Sequence, residues 1–147
     1  MGKYGIRKLI DELVEKYKTN DPIELCSHLD IDIIEVSNVD IIACTVKILD
    51  KTAILINKSV GMNETIRALA IGHEMCHGLY HESDDPLFIK QNMLQMSSRL
   101  EYEADFFAAY LFLHKKENQN EFIEDDDFIN SLEDCMSKLK KLREWNK

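Results

Sequence analysis

Ile6, Leu9, Ile10, Leu13, Val14 and Tyr17 recur at the three-and-four spacing of one helical face, and the run stops at Thr19-Asn20-Asp21-Pro22. A helix is predicted up to Tyr17. Asp21 supplies an N-cap and Pro22 suits the first helical position, so a second, short helix carrying Ile23, Leu25 and Leu29 follows at once. Residues 33–36, 41–49 and 52–57 are then rich in Ile, Val and Thr, which predicts three strands, with a hairpin turn at Asp50-Lys51.

Helical periodicity returns with Ile66, Leu69 and Ala70, which share a face with His73 and His77, so a helix is expected from a cap at Asn63 to about His81. Glu82-Ser83-Asp84-Asp85-Pro86 breaks it. The mixed stretch up to Ser98 clusters Met93, Leu94 and Met96, residues suited either to a lid over a cleft or to filling a core. Beyond a polar tract at 115–120 and an acidic one at 124–127, Phe128, Leu132, Cys135, Met136, Leu139 and Leu142 predict a final amphipathic helix. Its leading Asp and trailing Lys residues complement the helix dipole. The order helix, helix, small sheet, helices is an α+β layout. The expected organisation is one domain over residues 1–114, then a polar linker and C-terminal helix over 115–147.

The chemistry is concentrated at His73-Glu74-Met75-Cys76-His77, an HExxH sequence. On a helix, positions four apart differ by about 40° in rotation and one turn in height, so both imidazoles can face one ion. Glu74 beside them is the candidate general base, acting on water that such an ion acidifies towards ~7. A catalytic zinc takes three protein ligands, so a third is expected elsewhere. Downstream, Glu101 and Asp105 share a helical face, whereas Glu103 is expected to point roughly the opposite way. Glu101 is therefore assigned as the third ligand. Asp105 is expected to accept the second ring N–H of a liganding histidine, His73 in preference, which fixes the tautomer. Tyr80 and His81 are both candidates to donate to the oxyanion of amide hydrolysis, and the sequence does not choose between them.

The 147 residues are 45% hydrophobic and 31% charged, enough for one core-bearing domain. No apolar run approaches the ~18 residues of a membrane helix, so no membrane role is expected. A net charge of −9 argues against direct binding to nucleic acid, since that affinity comes largely from clustered Lys and Arg. Cys26, Cys44, Cys76 and Cys135 are scattered without a CxxC pair and no signal peptide is seen, so a cytoplasmic protein is expected. Cys76, three after His73, has the spacing of a soft ligand but is expected to be a small buried hydrophobe.

The segment AIGHEMCHGLYH, followed after a gap by LEYEADFFAAYLFL, resembles the ImmA/IrrE family of metallopeptidases of phages, integrative elements and bacterial stress regulators. The likeness spans roughly residues 21–113, including the weaker approach segment DPIELCSHLDIDIIEV. It implies a cytosolic zinc peptidase that cuts a helix-turn-helix repressor and so releases a silenced phage or mobile element. Carried over by position, His73, His77 and Glu101 match the metal ligands and Glu74 the catalytic acid/base. The chain departs from the pattern at Phe112-Leu113-His114-Lys115, where the family commonly has a Leu-Met-Pro-like sequence. His114 is there placed either near the cleft or in solvent.

The expected protein is thus a zincin-like, Zn2+-dependent endopeptidase with a protein substrate. By analogy with such enzymes, residues 52–57 are the candidate edge strand for pairing with a substrate backbone, the alternative being a plain core strand. The rival function is a metal-stabilised binding module that inactivates a regulator without proteolysis. A purely structural zinc would gain from a fourth protein ligand, which weighs against that rival. A small-peptide hydrolase is a further possibility, because HExxH does not set substrate size.

Overall fold

The computed structural model describes residues 2–81, 89–90, 98–114 and 126–144. Its elements run α1 (Lys3–Tyr17), α2 (Pro22–His28), β1 (Ile31–Val36), β2 (Ala43–Ile48), β3 (Lys51–Asn57), α3 (Glu64–Tyr80), β4 (Ile89–Lys90), α4 (Ser98–Leu113) and α5 (Asp126–Arg143). The fold is α+β and zincin-like, with the HExxH sequence on α3. The stretch expected to hold Met93, Leu94 and Met96 as a lid or filler, and the polar linker, lie outside the described residues.

Local chemistry starts and stops the helices as the pattern implies. In α1, Ile6, Ile10 and Val14 form the buried face, and Lys18 ends the helix at φ 59° with its N–H on the carbonyl of Val14 at 2.8 Å. Asp21 caps α2 by accepting the N–H of Ile23 at 2.9 Å, with Pro22 at the first turn. Asn63 caps α3 through the N–H of Ile66 at 2.8 Å. Asn20 secures the far end of α4, its side-chain amide donating to the carbonyls of Leu111 at 3.1 Å and His114 at 2.8 Å.

The sheet has the order β1-β3-β2-β4. β1 runs parallel to β3, from Ile31 opposite Thr52 to Val36 opposite Asn57. β2 and β3 form an antiparallel hairpin from Ala43 opposite Ile56 to Ile48 opposite Lys51. The hairpin turns at Leu49-Asp50, one residue before the expected Asp50-Lys51, with Leu49 left-handed at φ 56°. The strand topology corrects the expectation for residues 52–57. β3 is bonded on both sides, so its N–H and C=O groups are already paired and cannot receive a substrate strand. The short β4 was not foreseen; it pairs with β2 at Thr45 and Val46.

α3 lies between the sheet and α4, and glycines set both spacings. A Cβ at Gly72 would stand 3.2 Å from the Ala108 backbone on α4; one at Gly78 would stand 3.1 Å from Thr52 and 3.2 Å from Thr45 on the sheet. This close seating leaves Leu69, Ile71 and Met75 in one core with Ile54, Ile56, Phe106 and Phe107. Leu132, Cys135 and Leu139 bring α5 into the same core, packed on α4. No helix among the described residues is long and apolar enough to cross a membrane.

Candidate metal centre

α3 presents His73 and His77 one turn apart, with their Nε2 atoms 3.1 Å from each other. α4 delivers Glu101 to the same point: its Oε1 is 2.8 Å from His77 Nε2 and 3.4 Å from His73 Nε2. His73, Glu74 and His77 are all essentially inaccessible, at 0%, 1% and 1% exposure. They offer one ligand atom each within 4.8 Å of one another.

The hydrogen bonds behind the imidazoles decide what those Nε2 atoms carry. His73 Nδ1 lies 2.8 Å from Asp105 Oδ1, a carboxylate that can only accept, so the ring proton sits on Nδ1. His77 Nδ1 is 2.9 Å from His81 Nδ1, and His81 Nε2 is 2.9 Å from Glu103 Oε1. With Glu103 accepting, the proton of His81 lies on Nε2 and that of His77 on Nδ1. Each ring then turns Nε2 inward, towards the other and towards Glu101. Two ring nitrogens and a carboxylate oxygen converging in a buried space repel one another unless a proton or a metal ion lies among them.

The electrostatics register the same demand. Burial pulls the His73 pKa down, yet its bonds to Asp105 and Glu101 and the charge of Glu74 outweigh this and raise it to about 9. Burial pushes Glu101 up, but its bonds to the two histidines bring it down to about 2. Both directions mean that the cluster favours positive charge. Two imidazole nitrogens and a carboxylate oxygen, 2.8, 3.1 and 3.4 Å apart, are a donor set of the number and type that a divalent metal ion takes.

Glu74 shares the cluster with the two histidines but is also tied to the sheet. Its Oε1 accepts the hydroxyl of Thr45 at 2.8 Å, while Oε2 is 3.9 Å from His73 Nε2. The Thr45 hydroxyl also lies 2.9 Å from the Glu74 backbone carbonyl, so β2 pins this residue by side chain and main chain. The Glu74 carboxylate is thus fixed from the sheet at the edge of the histidine pair.

A family model described as Peptidase_M78, the IrrE N-terminal-like domain, matches residues 26–140. The chain belongs to this family. It is also 31% identical over 108 residues to the "Uncharacterized immunity region protein 2" of Bacillus phage phi105, an alignment covering 74% of this chain and 68% of that one. No solved structure matches the chain. Membership of Peptidase_M78 carries a metallopeptidase-type role and peptide-bond hydrolysis as its class of activity, and the His-Glu-His cluster is compatible with a metal ion.

Within this member of the family, the structure brings His73, Glu74, His77, Glu101 and Asp105 together at one centre. Two expected residues lie elsewhere in the arrangement. His81 sits behind His77 with both ring nitrogens engaged, and the ring of Tyr80 packs against Phe107, with burial first and the charges of Cys76 and Glu12 next raising its hydroxyl pKa to about 12. Glu103 does not point away; it is buried and holds His81. His114 is neither at the cleft nor solvated. It is buried at the opposite end of α4 from Glu101, roughly 20 Å along the axis, with Nε2 2.8 Å from Asp11 Oδ1. Cys76 is a buried thiol of the core cluster.

Sequence reasoning missed Thr45 and Arg143. Arg143 Nη1 and Nη2 each donate to Asp105 at 2.7 Å, and its Nε lies 3.8 Å from Glu101 Oε2. One signal for it existed: four after Leu139, Arg143 continues the apolar face of α5, where a charged residue needs a buried partner. Thr45 carried none, because a threonine in a strand is ordinary.

Proposed function

We propose that the chain is a zinc-dependent endopeptidase that cleaves a helix-turn-helix repressor in the cytoplasm and thereby relieves repression of a phage or mobile element. The observation that carries the reading is the meeting of His73 Nε2, His77 Nε2 and Glu101 Oε1, with Glu74 pinned at its border by Thr45. A structural site has no use for a held but non-ligating carboxylate. His73, His77 and Glu101 would hold the ion. When bound, zinc supplies Lewis acidity that acidifies water and polarises a peptide carbonyl.

The protein's own part is proton handling and alignment. Glu74 removes a proton from the attacking water as its oxygen bonds to the carbonyl carbon, then delivers it to the amide nitrogen as the C–N bond breaks. Thr45 keeps the carboxylate aimed throughout. Asp105 behind His73, and His81 with Glu103 behind His77, hold the rings in the tautomer that presents Nε2. The repressor substrate is supported by the resemblance in the motif segments and by the printed name of the phi105 relative, an immunity region protein.

The test is incubation of zinc-loaded protein with the repressor encoded beside it, followed by mass spectrometry of the products. Defined fragments that vanish on chelation are expected. An intact repressor held in a stable complex would instead establish the binding module. Turnover of short free-amine peptides but not of their blocked forms would establish an aminopeptidase.

A further inference from the structure

Asp105 is 4% exposed, and its two oxygens have different work: Oδ1 takes the ring proton of His73 and one Arg143 N–H, and Oδ2 takes the other Arg143 N–H. A bidentate guanidinium fixes the plane of a carboxylate, and the plane of this carboxylate fixes the ring of His73. Arg143 also faces Glu101. Glu101 Oε2 is buried without a hydrogen bond, and the guanidinium Nε 3.8 Å away offsets its charge while Oε1 is turned to the imidazoles.

Resting on the zinc-centre reading above, we propose that Arg143 is a positioning residue of the metal centre, so that docking of α5 completes the site by aligning Asp105 and Glu101 from behind. Charge agrees with this role. Glu74, Glu101 and Asp105 are buried carboxylates around the two histidines, with Glu103 a fourth behind His81, and Arg143 brings positive charge to two of them, Asp105 and Glu101. The reach of Arg143 is set by the packing of α5, since Leu132, Cys135 and Leu139 lie buried on α4 and Arg143 follows one turn after Leu139. The bland alternative is a pin: an ion pair that merely holds α5 down.

Zinc affinity measured by competition with a chromogenic chelator, beside the melting temperature of the metal-free protein, separates the two. Arg143→Ala is expected to bind zinc about 10- to 100-fold more weakly, as loss of a partner behind a liganding histidine does. Arg143→Lys, which keeps the charge and loses the fork, should recover only part of that affinity, and it carries the test if the alanine variant does not fold. Val14→Ala, which opens a cavity on the buried face of α1 and leaves α5 and the site untouched, should lower the melting temperature while zinc affinity stays near that of wild type. Wild-type affinity in both Arg143 variants, or an equal loss in Val14→Ala, would make Arg143 a pin and overturn the proposal alone. A wild-type protein with no zinc affinity would overturn the reading of the centre together with it.

Discussion

Glu74 and Glu101 are the same residue type within a few ångströms of one pair of histidines, and their hydrogen-bond partners differ in keeping with the separate tasks proposed for them. Glu101 Oε1 has His77 Nε2 as its close neighbour; Glu74 Oε1 has a hydroxyl. Thr45→Val keeps the shape of the side chain and removes that donor. Its expected result is a fall of about 10- to 100-fold in kcat with zinc content and KM close to wild type, judged from the usual worth of a hydrogen bond to a charged group. Loss of zinc in that variant would show instead that Thr45 supports the ligands. The meeting of His73, His77, Glu101 and Asp105 was legible in the sequence because HExxH and a carboxylate pair four apart each name a helical face. Thr45 and Arg143 were not legible, since they arrive from β2 and α5 through tertiary packing that no local spacing encodes.

At the scale of elements, α3 is the part whose placement matters most, because it carries three of the site residues and its two glycines set its distance from the sheet and from α4. Its start rests on Asn63. Asn63→Ala is expected to cost about 1 kcal/mol, as loss of an N-cap usually does, seen as a lower midpoint in urea with an unchanged slope. No shift would mean that water satisfies the freed N–H of Ile66 equally well. The helices were readable from periodicity and caps to within a few residues, α1 from Ile6, Ile10 and Val14 and α3 from Asn63 onward. Strand order was not. Alternation identifies a strand's faces but not its neighbours, so nothing in residues 51–57 distinguishes an edge from the centre, and only the pairing shows β3 between β1 and β2.

In the whole molecule, burial leaves several weak acids that must stay protonated for the fold to persist. Burial raises Cys26 and Cys44 from 9.0 to about 12, with the charges of Asp21 and Glu74 adding to it respectively. Burial likewise raises Tyr80 and Tyr110 from 10.0 to about 12. A raised pKa means that the folded state holds these protons more tightly. Their contribution to stability is therefore complete below about pH 9 and is lost as pH climbs towards 12. Urea midpoints at pH 8 and pH 10.5 should show a lower value at the higher pH; equal midpoints would contradict the burial of these groups. The family match extends from residue 26 to residue 140, reaching from α2 well into α5 and spanning all the elements that build the centre except the end that carries Arg143. The central claim concerns that centre, and its most direct test compares wild type with Glu74→Gln on the repressor, with zinc content measured on the same samples. Both proteins are expected to hold one zinc, while the variant cleaves about 100- to 10,000-fold more slowly, the usual worth of a general base. Equal cleavage by the two, at equal zinc content, would contradict the account.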